Sequence, residues 1–128
     1  MTEVVQAVRT EAAPAAIGPY SQAAAAGQFV FVSGQIPLDP STGEMVAGPF
    51  RAQVERVLAN LDAILLAAGS SRSRVVKVTV FVTSMATFAE LNEVYAGFFG
   101  DHRPARAVVE VSALPRGAQV EIEAVALR

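Results

Sequence analysis

At 128 residues the chain is the length of one domain, expected to run 1–128 without a linker and to bury roughly 65 % of its unfolded surface around a single core. Ten basic against twelve acidic residues give a formal charge of −2, which excludes the basic stripe that a phosphate backbone requires, so no nucleic-acid partner is expected. The absence of cysteine excludes disulfides and thiolate chemistry and is compatible with a reducing, cytoplasmic setting, while a single histidine excludes a multi-histidine metal cluster.

The opening segment MTEVVQAVRTEAAPAA carries Glu3 and Glu11 and no long apolar core, unlike a signal peptide. AAAAGQFVFV is apolar but far shorter than the roughly 20 residues of a membrane span, so no membrane association is expected. GQFVFVSGQI, rich in β-branched and aromatic residues and bounded by Gly27 and the turn-forming PLDPSTGEM, predicts a strand, with a loop over Pro37 to Gly43. From about Gly48 to Ala68, apolar residues at Phe50, Val54, Val57, Leu58, Leu61, Leu65 and Ala68 recur every three or four positions, one face of a helix that Gly69 ends. RVVKVTVFV alternates as a strand. A second helix follows from about Thr87 to Gly100, and two strands, 105 to 112 and 119 to 127, flank the ALPRGA turn.

Strands, helix, strand, helix and two strands define an α+β class with two helices on one face of a mixed sheet. The other face needs a cover of its own. Phe29 and Phe31 on one side of their strand and Val30 and Val32 on the other are all apolar, so that strand reads as buried on both sides. With only 17 % charged residues and a mean hydropathy of +0.40, the second face is expected to pack against another copy of the chain.

One residue breaks the apolar pattern of the last strands. Arg106 opens an otherwise buried run, and an arginine removed from water without a partner costs several kcal/mol or more. Alternation places Arg106, Val108 and Glu110 on one side of their strand and Ala107, Val109 and Val111 on the other. If Val109, Val111, Val120 and Ile122 face the helices, Arg106 and Glu121 share the opposite face. Two readings follow. Arg106 pairs with Glu121 or Glu123 as an interfacial ion pair, or its fork, which fits a carboxylate bidentately, waits for a small carboxylate ligand.

Other candidates carry less. His102, near a helix end, reads as a solvated or dipole-stabilising residue, and no Ser-His-Asp triad or phosphate-cradling glycine loop is evident. GPY at 18 to 20 and SGQ at 33 to 35 read as turn and strand-end signals. Asn92 is polar amid Phe88, Tyr95 and Phe99 at helical spacing.

Taken together these stretches resemble a known family. PARAVVEVSALPRGAQVEI, with AAPAAIGPYSQA, FVSGQIPLDPSTGE, NLDAILLAAG, VVKVTVFV and FAELNEVYAGFF, is similar to the RidA (YjgF) family of small imine deaminases over nearly the whole chain. The resemblance implies a chorismate-mutase-like fold and a homotrimer with pockets between neighbouring subunits. It also implies hydrolysis of reactive 2-imino acids, released by pyridoxal-phosphate dehydratases, to 2-keto acids and ammonia, with no cofactor and no metal.

Carried over by residue, it implies that Arg106 clamps the substrate carboxylate and Glu121 orients or activates water. Main-chain groups of Gly34 and Val108 would touch the substrate, Tyr20 and Ser33 would line the pocket, and Asn92 would lie close by. Some members carry a cysteine at the position of Val108, a change that a backbone contact tolerates. The same resemblance raises a non-catalytic carboxylate-binding or chaperone-like role, and ribonuclease or translation inhibition, against which the acidic balance weighs.

Overall fold

The structure is a computed structural model and describes residues 4–128. It contains strands β1 (Gln6–Val8), β2 (Ala23–Ala26), β3 (Phe29–Gln35), β4 (Val75–Val82), β5 (Ala105–Glu110) and β6 (Val120–Leu127), with helices α1 (Phe50–Ala67) and α2 (Phe88–Phe99). One six-stranded sheet runs in the order β1-β2-β3-β6-β4-β5. Only β4 and β5 are parallel, joined through α2 as a parallel pair requires.

Apolar periodicity forms α1 and decides what it covers. Val54, Val57, Leu58, Leu61, Ile64 and Leu65 are buried along one stripe, and the helix packs on β3 and β6 and against α2. Beneath it lie Val30, Val32, Val78, Val80, Ile122 and Ala124, one face of the three central strands. α2 adds Leu91, Tyr95 and Phe99. Truncating a leucine of this layer to alanine costs about 2–5 kcal/mol, so the fold's stability resides here.

The sequence did not announce β1 or β2. Alanine is a weak strand former, and Ala23–Ala26 is extended because β3 pairs with it, Ala24 opposite Phe31 and Ala25 opposite Val30. Gly27, at φ +56, makes the tight return between them, a conformation that a side chain would strain. β5 ends at Glu110, two residues before the expected boundary, and the Val111 amide still donates to the Val82 carbonyl at 2.8 Å.

Among the described residues nothing covers the sheet's second face at β3. Phe29 and Phe31 stand 43 % and 48 % exposed there, so β3 is covered on its Val30 and Val32 side only. The expectation of a strand buried on both sides therefore does not hold within one chain.

The face assignment of β5 is also corrected. Parallel pairing sets Arg106 level with Val78 and Val108 level with Val80, both fully buried under the helices, while Val109 is level with Phe81 and 41 % exposed. Glu121 is also level with Phe81. Arg106 and Val108 thus lie on the helix side and Glu121 on the open side, not together. The physical reason is that a charged residue marks the solvent side only where nothing inside can receive it. Here α2 supplies the partners.

Candidate functional site

α2 and β5 build the first half of the site. Phe88, Asn92 and Tyr95 recur at i, i+4 and i+7, which stacks them on one helix face above the start of β5. Arg106 reaches up from β5 and its Nη1 donates to Asn92 Oδ1 at 2.8 Å. The guanidinium carbon lies 4.8 Å from the Tyr95 ring centroid and 5.7 Å from that of Phe88. Ring faces carry negative potential, so each attracts the cation by about 0.5–2 kcal/mol, and none of these partners neutralises it.

Among the described residues the ion pairs are Arg51–Glu93 and Arg72–Asp62, on the helices' outer side. Arg106 therefore has no carboxylate partner among the described residues, and the pairing with Glu121 or Glu123 is absent. Four of the five guanidinium donors have no side-chain acceptor here, since Asn92 uses one. Tyr95, buried in the same layer, has its phenol pushed up by burial, partly opposed by the positive charges of Arg106 and Arg103. Its hydroxyl has no hydrogen-bond partner among the described residues.

The second half lies on the open face. Pairing between β3 and β6 slips between Val32 and Gln35, and this irregularity places Gly34 under the Glu121 side chain. A Cβ on Gly34 would stand 2.1 Å from Glu121 Oε2 and 2.9 Å from its Cδ, so only glycine leaves the carboxylate room. Around it is a cavity of about 420 Å3 lined by Ile17, Tyr20, Ser33, Gly34, Ile36, Pro115 and Glu121. The carboxyl is pushed above the usual range, first by burial and then by the negative charge of Glu123, with no cation compensating.

Local hydrogen bonds fix this wall. Ser33 Oγ donates to the Ser21 carbonyl at 2.6 Å, and the Ile17 amide donates to the Tyr20 hydroxyl at 3.3 Å, folding the ring over its own loop. Buried Gln22 anchors the preceding segment through the Thr10 amide and the carbonyls of Thr10, Ala13 and Pro14. A larger recess of about 600 Å3 lies along that segment and shares Tyr20, but it contains neither Arg106 nor Glu121.

The chain brings Tyr20, Ser33, Gly34 and Glu121 together, and separately Arg106, Asn92 and Val108. It does not bring the two groups to each other. Arg106 is level with Ala124 of β6 through Val78, three residues along from Glu121 and across two strand spacings. That is roughly 10 Å in each direction, with the side chains on opposite faces. Val108 lies on the edge strand, where half the backbone hydrogen-bonding groups point away from β4.

His102 belongs to neither half. Its Nε2 lies 2.7 Å from the Val75 carbonyl oxygen, a tie between the loop after α2 and the start of β4 rather than a solvated role. No three His, Cys, Asp or Glu side chains gather to hold a metal ion among the described residues. None of their helices is long and apolar enough to cross a membrane.

The sequence missed that the Phe88 and Tyr95 rings cover Arg106, and it missed the apolar walls Ile17, Ile36 and Pro115. The first had a visible signal, a lone amide between aromatics at helical spacing. The second had none, because loop residues meet there only after folding.

Fold and site chemistry define a class: a small α+β protein with one mixed sheet, a guanidinium on its covered face that has no carboxylate partner among the described residues, and on its open face a carboxylate with no cation beside it among them. The family model described as Endoribonuclease L-PSP matches residues 10–128, and the chain belongs to that family, the RidA (YjgF) family. A RutC family protein of Pyrococcus horikoshii is 54 % identical, over 96 % of this chain and 98 % of its own. The mouse 2-iminobutanoate/2-iminopropanoate deaminase is 46 % identical, over 100 % of this chain and 96 % of its own. Among solved structures, RidA of the Antarctic bacterium Psychrobacter sp. PAMC 21119 superposes with a TM-score of 0.93 at 46 % identity, covering 96 % of this chain and 99 % of that one. Escherichia coli TdcF with bound serine gives 0.91 at 45 %, covering 96 % and 98 %.

Proposed function

We propose that this protein hydrolyses 2-imino acids to 2-keto acids and ammonia. The site would be assembled between copies of the chain in a homotrimer, Arg106, Asn92 and Val108 coming from one copy and Tyr20, Ser33, Gly34 and Glu121 from its neighbour. The observation that carries this reading is the separation itself. Arg106 and Glu121, read as an anion clamp and a proton-handling acid, lie on opposite faces of one sheet, and the open face is apolar enough to seat a second copy. The deaminase name of the mouse relative and the serine bound to TdcF support a ligand with a carboxylate beside an amine-bearing carbon.

The chemistry balances with these residues alone. Arg106 takes the substrate carboxylate through the edge that Asn92 leaves free, which places C2 of the imine beside Glu121 of the other copy. Water adds to C2 as the C=N electron pair moves to nitrogen, and the Glu121 carboxylate accepts the water's proton and returns it to that nitrogen. The carbinolamine then loses its hydroxyl proton to Glu121, the C2–N bond breaks, and nitrogen leaves as ammonia with that proton. Burial holds this carboxyl above its ordinary range, so it keeps a proton to higher pH than an exposed glutamate does, and a positioned acid–base group contributes about 10²–10⁴-fold.

The test couples a threonine dehydratase to the purified protein and follows decay of the released imine. Wild type is expected to accelerate decay, and Arg106→Ala and Glu121→Gln each to abolish the acceleration. Co-refolding the two inactive variants restores roughly a quarter of the activity, because random assembly places an intact Arg106 opposite an intact Glu121 at that frequency. If wild type binds a 2-keto acid but accelerates nothing, a carboxylate-binding role replaces hydrolysis. If the mixture stays dead while each wild-type half-site is present, the site does not span two copies.

A further inference from the structure

The helix face above Arg106 holds more than the amide that bonds it. We propose that Tyr95, with Phe88 as the outer wall, is a positioning residue that fixes the plane of the Arg106 guanidinium, so that the edge away from Asn92 faces the ligand. This rests on the reading of Arg106 as a carboxylate clamp and names the part of the chain that makes the clamp rigid.

A single hydrogen bond does not orient a planar group. Asn92 Oδ1 holds Nη1 at 2.8 Å, but rotation about that contact leaves the rest of the fork undirected. The rings supply the missing constraint, one at 4.8 Å and one at 5.7 Å from the guanidinium carbon. Because Phe88, Asn92 and Tyr95 occupy one stripe of α2, a single rigid element sets all three contacts.

Tyr95 is unusual among the buried polar side chains. Gln22, Gln53, Asn60 and Ser70 are all hydrogen-bonded, whereas the Tyr95 hydroxyl has no partner among the described residues although the side chain is only 7 % exposed. An unpartnered buried hydroxyl does not stabilise a fold. The contribution of this side chain therefore lies in its ring. Phe88, 39 % exposed, is the weaker and replaceable wall.

The experiment compares Tyr95→Phe, Tyr95→Leu and Phe88→Leu in the coupled imine assay, in calorimetric binding of 2-oxobutanoate and in thermal unfolding. Tyr95→Phe keeps KM and keto-acid affinity within twofold. Tyr95→Leu raises KM and weakens binding roughly tenfold with a smaller change in kcat, and Phe88→Leu does so roughly threefold, the range that lost cation–π contacts produce. In an Arg106→Lys background, which keeps the charge but lacks the plane, Tyr95→Leu adds less than twofold.

Equal losses in Tyr95→Phe and Tyr95→Leu would place the effect in the hydroxyl and overturn the proposal, as would full additivity with Arg106→Lys. Should Tyr95→Leu fail to fold, the surface-accessible Phe88→Leu decides through its KM alone. If Arg106→Ala keeps full activity, the clamp reading itself is gone. If Arg106→Ala is dead while both ring variants behave as wild type, only the positioning role is lost.

Discussion

The two halves of the proposed site are built by opposite means. Around Arg106 the chain supplies an amide and two ring faces from one helix, so the cation is held in place before any ligand arrives. Around Glu121 it supplies room rather than partners: a glycine without a side chain, a slipped strand pairing and a cavity with apolar walls. In the roles proposed for them, binding and proton transfer ask for different surroundings. A clamp gains from being fixed while retaining its charge, and a proton carrier gains from an environment that disfavours its charged form.

The open face offers the largest test of that division. Phe31→Asp leaves Val30, Val32 and the helix layer untouched but sets a charge where a second copy would seat. Sedimentation is expected to show loss of assembly, and imine decay a fall on the order of 100-fold or more, although Arg106 and Glu121 are both intact. Full assembly and activity in this variant would mean that another surface joins the copies.

A smaller and more local effect is expected from Gly34→Ala. The new methyl group overlaps the Glu121 carboxylate, the far end of a flexible side chain, so the chain folds with an unchanged melting temperature while the acid is displaced. The imine assay should show kcat reduced roughly 10- to 100-fold, with 2-oxobutanoate binding nearly retained because Arg106 is not touched. Equal damage to binding would show that the two halves are less separable than their surroundings indicate.

The smallest effect concerns stability and its sign. Glu121 is held above its ordinary range in the folded chain, so the folded state binds this proton more tightly than the unfolded one. Its contribution is full in acid, below the unfolded value, and is lost as pH rises through the folded value. Glu121→Gln, which cannot ionise, should therefore melt slightly higher than wild type at pH 7, and the gap should close toward pH 4. The same titration is expected as an acid limb in wild-type kcat/KM above the usual glutamate range. A wild type that melts higher than the glutamine variant at pH 7 would show that the carboxylate has a stabilising partner.

The helices and the long central strands were legible because each carries its own signal. α1 follows from seven apolar residues at helical spacing, and β4 from the alternation of Val78, Val80 and Val82, so neighbours were not needed to find them, although Val76, which the same period sets on their side, is exposed beyond a slip in the pairing with β6. The family resemblance pointed to the site residues one by one. What it could not settle was which of them meet within one chain. β2 illustrates the limit at the level of the fold: four alanines have no preference for extension until Phe29–Val32 pairs with them.

The amino-acid order by itself determined the α+β class, both helices, an apolar second face and the two charged residues worth following, because periodicity and the cost of burying charge are local properties. Tertiary structure alone decided that Arg106 lies under α2 and Glu121 beneath open space. In ARAVVE the face with Arg106 and Glu110 is the polar one, so alternation alone points it away from the helices, and only the register with β4 and the partners waiting on α2 turn it inward.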